Sequence, residues 1–128
     1  MTSTQSSGAH VFMDYIGAYF GDEDSHSQVL ELMRAVVDRS PATEVHAKAV
    51  PFDGSTSPPG FAAVVLIDES HLTAHCYADR GLLAVDCFTC GQTDPDEVAD
   101  DLHAALLQAI PELVLVKRER IERFTTGA

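Results

Sequence analysis

A chain of 128 residues, 45% hydrophobic and 22% charged, has room for one domain with a real core, which excludes a disordered tail, a collagen and a coiled coil. With 20 acidic against 8 basic residues the net charge is −12, so phosphate backbones and anionic lipid are repelled, and neither nucleic acid nor membrane is expected as a partner. The longest apolar runs, Phe61–Ile67 and Leu113–Val116, fall far short of the ~20 residues of a membrane span. Met1–Gly8 is polar and uncharged, unlike a signal peptide, and three cysteines are an odd set for a disulfide framework. The expectation is a cytoplasmic protein with reduced thiols.

Met1–Ala9 reads as a frayed tail and His10–Ile16, which alternates weakly, as a strand. Gly17–Asp24 reads as a loop. Ser25-His26-Ser27-Gln28 has capping-box spacing, and Val29, Leu30, Met33, Val36 and Val37 then recur on one face. A helix over 26–39 follows, stopped by Ser40-Pro41. Thr43–Val50 is a strand, and Pro51–Gly60, rich in Pro, Gly and Ser, is a functional or covering loop rather than a linker. Phe61–Ile67 is a continuous apolar run, hence a buried strand. Leu72–Tyr77 and Leu82–Phe88 are shorter strands either side of the turn Ala78-Asp79-Arg80-Gly81. Asp94 caps a helix over 95–109 with Pro95 in its first position and Val98, Leu102, Ala105, Leu106 and Ala109 as its buried stripe. Leu113–Glu119 is the last strand. The order β-α-β-β-β-β-α-β with short hairpins predicts an α+β fold: a two-layer α/β sandwich, its sheet mainly antiparallel and both helices on one face.

Chemistry concentrates in Asp68–Gly91, where 24 residues hold two His, three Cys and a Ser. Three readings of the residue types stay open. A metal site would use His71 and His75, which share a strand face, with Cys87-x-x-Cys90, although such cysteine pairs sit on knuckle turns and Cys87 falls inside an apolar strand. A redox dithiol would use the same pair, although such pairs open a helix and this one ends a strand. In the third reading the thiols are small core hydrophobes and the histidines satisfied strand residues.

Glu69-Ser70-His71-Leu72-Thr73-Ala74-His75, followed by Val85-Asp86-Cys87-Phe88-Thr89-Cys90-Gly91, resembles the prokaryotic S-adenosylmethionine decarboxylase proenzymes, whose pattern is ESHL[ST]xHT and then [AV]DxFTCG. The spacings from Ser70 to His75 and to Cys90 agree without a gap. Weaker agreement covers most of the chain, from the strand at His10 to the Asp-Pro helix start. The resemblance implies one decarboxylase domain, 1–128, that cuts itself between Glu69 and Ser70 into chains 1–69 and 70–128. Ser70 would attack the preceding carbonyl and end as a covalent pyruvoyl cofactor, which takes the substrate amine as a Schiff base. Serine suits this because it can both attack and be eliminated to a 2-keto acyl group. A tight turn at Glu69–His71 is expected to strain the bond, with His75 supplying a base for processing. Cys90 matches the family's proton donor, no metal is implied, and Cys87 is left to pack in the core.

The implied substrate is S-adenosylmethionine, decarboxylated to the aminopropyl donor of polyamine (spermidine) biosynthesis. Phe52 resembles the aromatic on which the family stacks adenine. Tyr77 and Asp79 stand where the family's HTWPE segment has Trp and Glu. A processing serine eight residues before the cleavage point is replaced by Ala62, leaving Ser55 or Ser57 as stand-ins. These departures keep two alternatives open: decarboxylation of a basic amino acid, ornithine or arginine, and a non-catalytic paralogue that does not cleave. The resemblance further implies a homodimer or dimer of dimers of cleaved protomers, with sites at the protomer interface.

Overall fold

Period-two alternation organises this chain. In β3 (Gly60–Ile67), β4 (Ser70–Tyr77) and β5 (Leu82–Cys90) every second side chain is buried. In β1 (Ser6–Ile16) Val11, Met13 and Tyr15 are buried in the same way. The computed structural model describes residues 6–20 and 24–126. With β2 (Glu44–Phe52) and β6 (Val114–Thr125) these strands form one antiparallel sheet in the order β2-β3-β4-β5-β1-β6. The helices α1 (Ser25–Asp38) and α2 (Pro95–Ala109) supply the second layer. Val29, Met33, Val36 and Val37 of α1 and Val98, Leu102 and Leu106 of α2 close over Val11, Met13, Val65, Leu72, Val85 and Cys87. Each buried Leu or Met contributes roughly 1.5–3 kcal/mol by leaving water. Arg39 clamps Asp101 between the helices at 2.9 and 3.0 Å, and Arg118 ties β6 to Asp96 and Asp100 of α2. These pairs are exposed and contribute little beyond alignment.

The fold is the expected α+β sandwich, and no helix among the described residues is long and apolar enough to cross a membrane. Strand ends differ from the sequence expectation. β1 reaches back to Ser6, because it lies between two partners: Gly8 pairs with Cys90 on one side and Arg123 on the other. Met1–Gln5 of the expected tail and residues 21–23 of the expected loop lie outside the described residues. β2 runs on to Phe52, β5 to Cys90 and β6 to Thr125. The Ser25–Gln28 capping box does not form. The helix starts one residue early, Ser25 is already helical, and Asp24 in the cap position makes no side-chain capping bond. Asp94 does cap α2, accepting from the Asp96 amide at 2.9 Å. Its buried stripe is Val98, Ala99, Leu102 and Leu106, while Ala109 faces solvent.

Because both helices cover one face, the other face of the sheet is bare. It presents Val50, Phe52, Leu66, Tyr77 and Ile121, each more than a third exposed.

Candidate active site

The predicted site residues fall into two groups at opposite ends of the sheet. At one end β3 and β4 join through the two-residue turn Asp68-Glu69, across which Ile67 pairs with Ser70. The turn is tighter and one residue earlier than expected, so β4 begins at Ser70 itself. The Asp68 amide donates to the Thr43 carbonyl at 2.9 Å and fixes the turn from outside. Glu69 is exposed; Ser70 is 8% exposed and lies in the parity of the buried Leu72 and Ala74. Among the described residues the Ser70 hydroxyl makes no hydrogen bond.

Cys90 ends the neighbouring strand. The register His71↔Phe88 brings it to the same end of the sheet as the Glu69–Ser70 bond. Its thiol lies over Gly8, where an added β-carbon would stand 2.8 Å from Sγ. Gly91 then turns the chain with φ of 67°, and its amide donates to the Ser7 carbonyl at 3.2 Å. Cys90 lines a hollow of about 270 Å³ with Gly8, Thr89 and Thr93. Cys87 lies in the core on the opposite face, fully buried, and burial pushes its thiol up to about 12. The two thiols of the Cys-x-x-Cys segment therefore diverge and cannot close on one ion or on each other. Cys76 also faces the core, and burial pushes it up to about 11. Among the described residues no group of three or more His, Cys, Asp or Glu is placed to hold a metal.

At the other end stand His75, Tyr77, Phe52 and Asp79. His75 is five residues from Ser70, about 17 Å along the strand and on the opposite face. The expectation that it serves the Glu69–Ser70 bond of its own chain is thus not met by the geometry. It pairs with Ala62 and Ala84, so methyl groups flank the imidazole on both sides. One row further out, Phe52, Gly60 and Tyr77 align across three strands. Only glycine fits the middle position, because a β-carbon there would run into the Cys76 carbonyl. The two rings, 39% and 46% exposed, therefore border a gap with no side chain between them. Asp79 is exposed in the Ala78–Gly81 turn, and the Arg80 guanidinium lies 6.0 Å over the Tyr77 ring. Ser55 is pinned by Asp53, which accepts from its amide at 2.9 Å and its hydroxyl at 2.7 Å. Ser55 and Ser57 line a separate cleft of about 860 Å³ with Phe52 and the start of α1, whose lining includes neither His75 nor Ala62.

Sequence reasoning passed over the middle of the bare face. There Asp86 accepts from His10 Nε2 and from Thr73 Oγ1, both at 3.1 Å. The rings of His10, His71 and Phe88 lie 5.4–6.3 Å apart. Burial and the neighbouring His10 lower the His71 pKa. The signal was the parity of His10, Phe12 and Asp14 against the buried Val11, Met13 and Tyr15.

Fold and site together define a two-layer α+β sandwich whose sheet carries a hairpin serine and a strand-end thiol at one end and, on its bare face at the other end, a histidine among aromatics. Residues 9–119 match the S-adenosylmethionine decarboxylase family, and the chain belongs to that family. It is 33% identical over 111 residues to an S-adenosylmethionine decarboxylase proenzyme of Brevibacillus brevis, covering 87% of this chain and 79% of that protein. A proenzyme of the same name from Symbiobacterium thermophilum is 37% identical over 100 residues, 77% of this chain and 73% of the other. The crystal structure of the adenosylmethionine decarboxylase from Aquifex aeolicus superimposes with a TM-score of 0.68 at 23% identity, over 93% of this chain and 92% of that one, so the fold is shared.

Proposed function

We propose that this chain is a proenzyme that cuts itself between Glu69 and Ser70 and then decarboxylates S-adenosylmethionine, the substrate class named for its relatives. The observation that carries this reading is the unpartnered hydroxyl of Ser70 at the first residue after a two-residue turn, with Cys90 on the next strand. Ser70 Oγ adds to the Glu69 carbonyl carbon. The C–N bond then breaks, the hydroxyl proton passes to the leaving nitrogen, and Glu69 is held as an ester. Loss of the α-proton of residue 70 expels the Glu69 carboxylate and leaves a dehydroalanine, which takes up water and releases ammonia to give a pyruvoyl group. The site fits such a group, since a keto acyl unit is no larger than the seryl unit it replaces.

Once formed, the pyruvoyl group supplies an electron-accepting carbonyl for the electrons released with carbon dioxide. Cys90, on the neighbouring strand end, is the acid that returns a proton to the substrate-derived carbon. Phe52 and Tyr77 offer faces to a nucleobase and to a sulfonium cation. Asp79 and the net charge of −12 favour a cationic substrate.

These two groups of residues meet only between two copies. Laying two bare faces together with their strands reversed brings the His75, Tyr77 and Phe52 end of each copy over the Ser70 and Cys90 end of the other. It also covers the exposed Val50, Leu66 and Ile121. The working unit is therefore a homodimer, alone or doubled into a dimer of dimers.

The deciding experiment is the intact mass of denatured protein. The expected result is a chain 1–69 ending in Glu69 and a chain 70–128 with a blocked first residue, while Ser70→Ala stays a single chain. A wild-type protein that remains whole while releasing carbon dioxide from S-adenosylmethionine would overturn the pyruvoyl reading.

A further inference from the structure

Three carboxylates stand on the bare face of the strands. Asp86 is satisfied by His10 and Thr73, and Glu119 binds the Lys117 ammonium at 3.0 Å. Asp14 is different: among the described residues it accepts no hydrogen bond and makes no ion pair. Its charge reaches Lys117, but that ammonium is already taken by Glu119. Once the bare face is covered, a carboxylate without a donor is costly unless a group arrives to meet it.

Asp14 lines a slot of about 340 Å³ with His75, Tyr77, Ile16, Ala84 and Val116. The register runs Ala62, His75, Ala84, Asp14 across β3, β4, β5 and β1. His75 and Asp14 thus stand on either side of the Ala84 methyl, on strands about 10 Å apart. Both side chains border the slot. The imidazole makes no hydrogen bond among the described residues. Ala62, on its other flank, offers a methyl where a serine would offer a hydroxyl. Asp14 is then the one acceptor on the row of His75.

We propose that Asp14 is the positioning residue for His75 in self-cleavage. Through a water held over Ala84, its carboxylate orients the imidazole and steadies the imidazolium formed when His75 takes the α-proton of residue 70 in the facing copy, the step that expels Glu69 as a carboxylate. In that step one C–H and one C–O bond break, the Cα–Cβ double bond forms, and the proton passes from carbon to the imidazole. This inference rests on the self-cleavage reading, and on two copies forming the site.

The test is the rate at which freshly made whole chain becomes two chains, read by intact mass. Asp14→Asn is expected to slow cutting roughly 10- to 100-fold, part of the 10²–10⁴ that a general base supplies. Asp14→Glu is expected to restore much of the rate, because it returns the charge. Ala62→Ser in the Asn background is expected to restore it from the other flank, because a hydroxyl then reaches the imidazole. Asp14→Asn cutting at the wild-type rate would overturn the proposal. So would an Asn variant that is slow but recovers with neither Asp14→Glu nor Ala62→Ser, which marks a fold defect rather than a lost partner. A wild-type chain that never cuts would instead overturn the self-cleavage reading itself.

Discussion

Ser70 and His75 share strand β4 yet point to opposite faces of the sheet, Ser70 in the parity of the buried Leu72 and His75 beside the exposed Tyr77. An odd separation on a strand has this consequence whatever the rest of the fold does. Within one chain the two side chains cannot meet; in the proposed pair of copies the His75 end of one lies over the Ser70 end of the other.

A mixing experiment follows from this. Neither His75→Ala nor Ser70→Ala is expected to cut alone: the first keeps the nucleophile without the base, the second the reverse. Folded together at equal amounts, about half of the dimers are mixed, and each mixed dimer holds one intact Ser70 facing one intact His75. The His75→Ala chain is then expected to be cut at its own Glu69–Ser70 bond, and the Ser70→Ala chain to stay whole. The readout is the mass of each chain, made distinguishable by an isotope label. A His75→Ala chain that stays whole in the mixture would remove the two-copy site.

Substrate recognition can be separated from cutting at Phe52. This ring is more than a third exposed and stands across Gly60 from Tyr77, so little of the fold depends on it. Phe52→Ala is expected to leave the conversion into two chains unchanged. It is expected to weaken S-adenosylmethionine by about 1–3 kcal/mol, the usual loss of a base-stacking ring. Calorimetric titration of the cut protein with the substrate's non-reactive methyl ester reads this directly. Unchanged affinity would leave Phe52 as a surface residue of the β2–β3 connection.

The fold was legible because its signals are local. Apolar parity in Phe61–Ile67, the Asp94-Pro95 helix start and the short hairpins each act within a few residues, and together they leave one arrangement of layers. The strand ends were not legible, because they depend on partners distant in sequence: Gly8 is ordered by Cys90 and Arg123, far along the chain. The capping box failed for a related reason. Its spacing was present, but helix α1 started one residue earlier and moved Ser25 out of the cap position. In the site, the motif pointed to Ser70, His75 and Cys90, but it carries no information on which copy each serves. Parity adds that Ser70 and His75 lie on opposite faces of the sheet. The same parity places Asp14 beside His75 on the bare face, a relation between β1 and β4 that only the pairing through Ala84 makes visible.

Cys90 is expected to act after cutting and not during it. Its thiol lies over Gly8 on the strand next to the hairpin, and the acyl shift at Glu69–Ser70 needs a nucleophile and a base but no acid of this kind. Cys90→Ala is therefore expected to yield chains 1–69 and 70–128 like the wild type. Cys90→Ser keeps the size and loses most of the acidity, so it separates packing from proton transfer. Both variants are expected to lose roughly 10²–10⁴-fold in carbon dioxide release, the usual effect of removing a general acid. Without the thiol, a proton delivered to the cofactor carbon instead of the substrate-derived carbon would convert residue 70 to alanine. The mass of the 70–128 chain before and after exposure to S-adenosylmethionine measures that conversion, which is expected to rise with each turnover in both variants. Wild-type turnover in Cys90→Ala, with no growth of the alanine form, would leave Cys90 a packing residue like Cys87.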